Sequence, residues 1–187
     1  MAWTWISTGP CRQTMSEHNR LLPLIVNGWT IFAHPLFLEQ LETLIRQVEA
    51  LKLKDPVGYV KKNASKRLAA TARLAFEVIP QDPTRVEYRQ GNTLGDARRH
   101  WFRAKFFQQY RLFFRYHAPS RMIVYAWVND EDTKRAYERD DDAYRIFRHM
   151  LDSGHPPDDW DQLLVEAHAC TARMQAIAGA YTGPSSS

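Results

Sequence analysis

Several common signals are missing from this 187-residue chain. Its two cysteines, Cys11 and Cys170, lie near opposite ends without metal-type spacing, so neither a disulfide framework nor a zinc site is encoded. No apolar run approaches the length of a membrane span. The opening residues lack a charged start and a continuous apolar core, which excludes a secretory signal of the usual kind. There is no nucleophile elbow, no phosphate-binding glycine loop and no metal-binding histidine pair. These absences lead us to expect a cytoplasmic protein with no cofactor, no metal and no membrane partner.

The most informative absence is of negative charge. From Ala97 to Asn129 there is no acidic residue, against Arg98, Arg99, Arg103, Lys105, Arg111, Arg115 and Arg121. Those are seven positive charges in a chain whose total is +4. Past Asn129 the sign inverts, with seven acids over residues 130–142.

The acid-free stretch is also rich in aromatic and β-branched residues, and predicts three antiparallel strands over about 101–107, 109–117 and 121–128. Gln108-Gln109 and His117 to Ser120 supply the reversals. With a period of two, Leu112, Phe114 and Tyr116 share one face, while Arg111, Phe113 and Arg115 share the other. Arg103 and Lys105 share a face on the first strand. One apolar face and one cationic, aromatic-dotted face suit a polyanion with stackable bases. The competing explanation is an ordinary solvated sheet face.

Residues 1–24 read as a poorly ordered extension, 25–168 as one domain and 169–187 as a tail. Within the domain, Val26 to Ala33 predicts a strand. His34-Pro35 opens a helix, His34 as a cap or packed residue, with Phe37, Leu41, Leu44, Val48 and Leu51 as its buried stripe. Asp55-Pro56 opens a second, running to Ile79 and burying Val57, Val60, Ala64, Leu68, Ala72 and Ala75, with Lys61, Lys62, Lys66, Arg67 and Arg73 outside. The short link makes the pair an αα-hairpin. After the strands, a turn over Thr133 to Tyr137 and two helices follow, one from Asp141 or Asp142 and one from Pro156. The expected fold is α+β, with helices against one face of a small sheet.

Metal-free RNA cleavage needs a base for the 2′-hydroxyl, cations around the phosphate and an acid for the 5′-oxygen. Arg103, Lys105, Arg111 and Arg115 supply the cations. Arg98, Arg99 and Asn129 are further RNA-binding candidates. Glu131 is a candidate base or a solvated loop acid. Arg135 and Tyr137 are candidates for orienting or stacking substrate, or for donating a proton. Asp140 to Asp142 read as a helix N-terminus rather than a magnesium site. His100 and His117 read as strand-end residues, Trp101 and Trp127 as core or rim aromatics.

A set of short motifs carries a family likeness. They are Asn27-Gly-Trp, Ala33-His-Pro, Leu94-Gly, Arg103-Ala-Lys-Phe, Tyr110 to Tyr116, Trp127 to Thr133, Tyr137, Asp142-Ala-Tyr and Gly154 to Trp160, spanning about residues 26 to 166. Together they resemble the YhaV toxins of type II toxin–antitoxin modules, in the RelE-like mRNA interferase superfamily. The resemblance implies a RelE-like fold, a small antiparallel sheet carrying an αα-hairpin. It implies an endoribonuclease that halts translation by cutting mRNA, often on the ribosome. Its implied partner is a PrlF-type antitoxin, through which the complex reaches operator DNA. By position it puts the cation sites on Arg103, Lys105 and Arg111, and a stacking or acid tyrosine on Tyr137. Glu131 stands where RelE has an arginine, so either Glu131 is the base with Arg135 restoring the charge, or Glu131 is structural. The alternative function is a non-catalytic RNA- or ribosome-binding module. A DNA-binding regulator is disfavoured because the basic residues lie on strands.

Overall fold

The computed structural model describes residues 23–130 and 142–182. Asn27 and Gly28, both at positive φ (49° and 77°), make the two-residue turn that this pair favours. The expected single strand is therefore a hairpin of β1 (Leu24–Val26) and β2 (Trp29–Ala33). Strands β3 (Phe102–Phe106), β4 (Tyr110–His117) and β5 (Met122–Val128) fall within a residue of their expected bounds. The sheet order is β1-β2-β5-β4-β3. It is mixed rather than antiparallel, because β2 pairs parallel to β5 after the chain crosses over through its helices.

Helix α1 (Pro35–Lys54) begins where expected. The His34 Nδ1 accepts the Leu36 amide at 3.3 Å, the local bond of an N-cap. The second helix starts later than its apolar pattern suggested. Asp55 Oδ1 accepts the Gly58 amide in a turn, a 3₁₀ stretch covers Gly58–Lys61, and α2 spans Asn63–Arg73. Val57 and Val60 are exposed rather than buried, whereas Leu68, Ala72, Ala75 and Ile79 enter the core. A π-turn over Leu74–Val78 extends α2, and the buried Tyr125 hydroxyl donates to the Ala75 carbonyl there at 2.5 Å. Arg67, expected outside, is 7% exposed, its guanidinium 4.7 Å from the Tyr110 ring centre.

The main correction concerns layers. Helices cover both faces of the sheet, not one. On the first face α1 and α2 pack on Ile31, Ala33, Leu112, Phe114, Ile123 and Tyr125. They are joined by α5 (Thr171–Thr182), a helix where the expected tail began, which contributes Met174, Ile177 and Ala178. Arg173 fastens it to α1 through two 3.0 Å bonds to the Glu42 carboxylate. The other face carries α3 (Asp142–Asp152) and α4 (Trp160–Ala169), which bury Phe32, Phe113, Val124, Ala126 and Trp127. Phe147 of α3 stacks on Phe113 at 4.1 Å and meets Trp101 edge-on at 5.0 Å. The face read as cationic and open is thus largely a second core.

Candidate active site

What remains reachable of the cationic face lies at the β3–β4 corner. Lys105 and Arg111 are direct cross-strand partners, and Arg103 pairs with Phe113 two positions along. β3 is an edge strand, so Lys105 is exposed and Arg103 half-buried. The Arg103 guanidinium is fixed in place, with Nε donating to the Tyr144 hydroxyl at 2.7 Å and Nη1 to the Glu87 carbonyl at 2.5 Å. Tyr144 itself is buried on α3, at the margin of the second core.

Arg111 behaves differently. It is 5% exposed, and its Nη1 donates to the carbonyls of Gln108 and Tyr110. Phe107 and Gln108, both at positive φ, form the β3–β4 turn, and Arg111 holds that turn from beneath. Its Nε is buried without a hydrogen-bond partner among the described residues. Asn129 closes the same corner: its side chain accepts the Arg111 amide at 2.6 Å and donates to the Gln109 carbonyl at 3.0 Å. Asn129 is 3% exposed, so its amide is used on backbone. β5 ends at this corner, followed by Asn129 and Asp130. Glu131, Arg135 and Tyr137, together with the expected turn at Thr133 to Tyr137, lie outside the described residues.

The other candidates gather at the far end of β4. The Arg115 guanidinium sits 5.5 Å from the Trp101 ring centre and 5.3 Å from that of Trp160, and donates to the Asp158 carbonyl at 2.7 Å. Burial lowers its pKa, against the opposing charges of Asp158 and Asp159. Arg98 bonds Asp152 at 2.7 Å and stands 3.7 Å from Asp158, while Arg99 bonds Asn92 and Asp96. The Asp158 carboxylate also receives the Trp101 indole N–H at 2.6 Å and contacts His100 Nε2 at 2.8 Å. Burial pushes this carboxyl up, but those bonds and the neighbouring positive charge more than offset it, leaving its pKa below the ordinary value. His117 packs on Trp160, its Nδ1 2.6 Å from the Ser120 hydroxyl. The structure therefore separates the candidates into a corner around Arg103, Lys105, Arg111 and Asn129, and a paired cluster around Arg98, Arg99 and Arg115.

Two partners of these groups were missed from sequence. Tyr144 was noted only as part of a motif, although a tyrosine one turn before Phe147 on an apolar stripe needs a partner for its hydroxyl. Asp158 looked like a helix-start residue, yet Asp159 is the cap, accepting the Gln162 amide, and Asp158 is left to the arginines. Among the described residues, no group of three or more His, Cys, Asp and Glu side chains is arranged to hold a metal ion. Nor is any helix there long and apolar enough to cross a membrane.

Comparison with known proteins agrees with the motifs. Residues 31–168 match the YhaV toxin family, described as toxins with endonuclease activity of toxin–antitoxin systems. The chain is similar to the ribonuclease toxin YhaV of Escherichia coli, at 44% identity over 146 residues that cover 77% of this chain and 95% of that protein. The toxin YhaV of the Escherichia coli O6:H1 lineage matches to the same extent, 44% over 146 residues. No solved structure matches the chain. A match over most of the folded domain, together with a relative covered almost end to end, makes this chain a member of the YhaV family of toxins.

Proposed function

We propose that the chain is an endoribonuclease that cuts mRNA at the β3–β4 corner without a metal ion. One observation carries this: Lys105 and Arg111 are paired across two strands with Arg103 alongside, at the corner where β5 ends. A phosphodiester entering there meets Lys105 and the Arg103 guanidinium, which Tyr144 and Glu87 already hold in position. Such fixed cations are suited to charge that develops on the phosphoryl oxygens during in-line attack. A base takes the proton of the 2′-hydroxyl, that oxygen bonds to phosphorus, and the 5′-oxygen leaves with a proton from an acid. Glu131, as base, and Tyr137, as stacking group or acid, are the candidates for the remaining roles, with Arg135 as a further cation. Arg111 contributes by shaping the turn from beneath. Arg98, Arg99, Arg115 and Asn129 are all engaged within the protein, so their part in RNA binding is indirect, holding the sheet ends in place rather than contacting RNA.

The name of the ribonuclease toxin relative supports RNA as the substrate. The proposal further includes the ribosome as the place of action, a RelE-like ancestry for the fold, a cytoplasmic setting and a PrlF-type antitoxin that brings the complex to operator DNA, all carried by the family resemblance of the motifs. The test is cleavage of a 5′-labelled mRNA in EDTA, with and without ribosomes, by wild type and Lys105→Ala. Cleavage in EDTA that the variant lacks is expected, and the ribosome arm identifies the working substrate. Folded wild type that binds RNA but leaves it intact in both arms would replace this proposal with a binding module.

A further inference from the structure

The outer side of α2 carries a feature that RNA cleavage does not use. Ala69, Ala70, Leu74, Val78 and Phe107 line an open groove of about 540 Å³, with Lys66 and Arg73 at its rim. Phe107 is 49% exposed, and Leu74 and Val78 belong to the π-turn that widens the helix at this point. Exposed carbon of this kind, rimmed by charge, marks an interaction surface more often than solvated helix.

Its charge is one-sided. From Pro56 to Phe76 there is no acidic residue, against Lys61, Lys62, Lys66, Arg67 and Arg73. Arg67 is turned inward onto Tyr110, so the outward charge comes from the other four. The nearest acid along the chain, Glu77, stands 3.9 Å from Arg73 on exposed side chains, a weak pairing. An occupant must therefore present aliphatic side chains to the groove and carboxylates to its rim. Apart from Lys66 and Arg73 the lining is aliphatic but for Phe107 and offers little to the polar edges of bases, which favours a protein segment over RNA. Small residues at 69 and 70 allow a helix to approach closely.

We propose that this groove receives an acidic amphipathic segment of the antitoxin that neutralises this toxin. The inference rests on membership of a toxin–antitoxin family, not on the substrate of the toxin. It also couples docking to the corner described above. Phe107 precedes Gln108, whose carbonyl holds Arg111, so a segment seated on Phe107 reaches the tip of the hairpin that carries Lys105.

The experiment measures the affinity of purified full-length antitoxin, fluorescently labelled, for wild-type toxin and two variants. One is Lys66→Glu with Arg73→Glu, which reverses the rim. The other is Ala69→Asp, which puts a carboxylate into the groove. All three positions are exposed, and circular dichroism checks that the variants fold. Both variants are expected to bind antitoxin at least tenfold more weakly while cleaving RNA within twofold of wild type in its absence. Antitoxin affinity within twofold of wild type in both would overturn the proposal. So would lost RNA binding with antitoxin binding intact, which makes the groove a nucleic-acid surface. Sedimentation showing a wild-type dimer that the variants dissociate, with antitoxin affinity kept, would assign it to a second copy of the chain. A toxin that cleaves no RNA, yet loses antitoxin in both variants, would refute the ribonuclease proposal alone.

Discussion

β3 and β4 carry the same alternation of cations and apolar residues, and the fold treats them oppositely. Arg103 and Lys105 lie on an edge strand, where one side of the ladder is open. Arg111 and Arg115 lie one strand further in, Arg111 buried under the β3–β4 turn and Arg115 half-buried beside Trp160 of α4. There Arg111 holds two turn carbonyls, and Arg115 is flanked by Trp101 and Trp160. The same residue type is therefore left open to solvent on one strand and used for architecture on the next. What decides is whether the position is buried, since a buried guanidinium must find its acceptors inside the protein.

The cover can be removed. Phe147 is fully buried and contacts Phe113, Trp101 and Trp127, so Phe147→Ala deletes the centre of the second core. The expected loss is about 3–5 kcal/mol in urea unfolding, typical of an aromatic truncated in a core. A loss below about 1 kcal/mol would mean that α3 does not hold this face closed, and the contrast between the two strands would collapse.

A sharper test sets Lys105 against its own cross-strand partner. Lys105→Ala should lower cleavage about 100-fold, in the range for removing one preorganised charge, with stability changed by less than about 0.5 kcal/mol. Arg111→Ala should do the reverse in kind, costing about 1–3 kcal/mol because the buried Tyr110 carbonyl and the half-covered Gln108 carbonyl lose their donor. Its activity loss should follow the loss of the folded turn, and low temperature should recover part of it. Urea midpoints measured beside cleavage rates separate the two. If Arg111→Ala abolishes cleavage at unchanged stability, the inner strand also serves substrate directly.

Much of this was legible in the sequence, for identifiable reasons. The three aromatic strands and the stripe of Phe37, Leu41 and Leu44 came through because periodicity reports which residues share a face. Periodicity does not report whether a face is covered. Phe113 between two arginines was the available clue, since a large apolar residue on the supposed open face asks for a partner, here Phe147. The α2 stripe began too early because Val57 and Val60 fit its spacing while Asp55 and Gly58 turn the chain away from it. The helix Thr171–Thr182 was missed because Ala, Gly and Thr dilute its apolar pattern. Its burial depends on Met174 and Ile177 entering the first core as the helix packs on the β1–β2 hairpin. At the candidate site, charge composition drew attention to Arg103, Lys105 and Arg111, which the fold brings together, but Tyr144 and Asp158 are contacts between elements far apart in sequence, and no local pattern encodes them.

The contrast between covered and open polar groups extends to titration, with the smallest expected effect. His34 is 2% exposed, its Nδ1 accepting the Leu36 amide and its Nε2 2.6 Å from Glu166 of α4. With Nδ1 as acceptor, the proton of the neutral ring is on Nε2, and the contact with Glu166 is a donated bond. Burial lowers the pKa from its ordinary 6.5 and outweighs the opposing hydrogen bond and charge of Glu166. Below 6.5 the unfolded chain then takes up a proton that the folded chain resists. The contribution of His34 is therefore complete above 6.5 and is lost as pH falls from there through the folded pKa. Its slope cannot exceed one proton, about 1.4 kcal/mol per pH unit. His34→Asn keeps a capping acceptor for Leu36 and removes the titration. Across this window, wild-type stability should fall more steeply with acid than that of the variant. The opposite difference, with wild type losing stability as pH rises, would mean that Glu166 holds a charged imidazolium under the helical layer, and that covering a polar group here does not neutralise it.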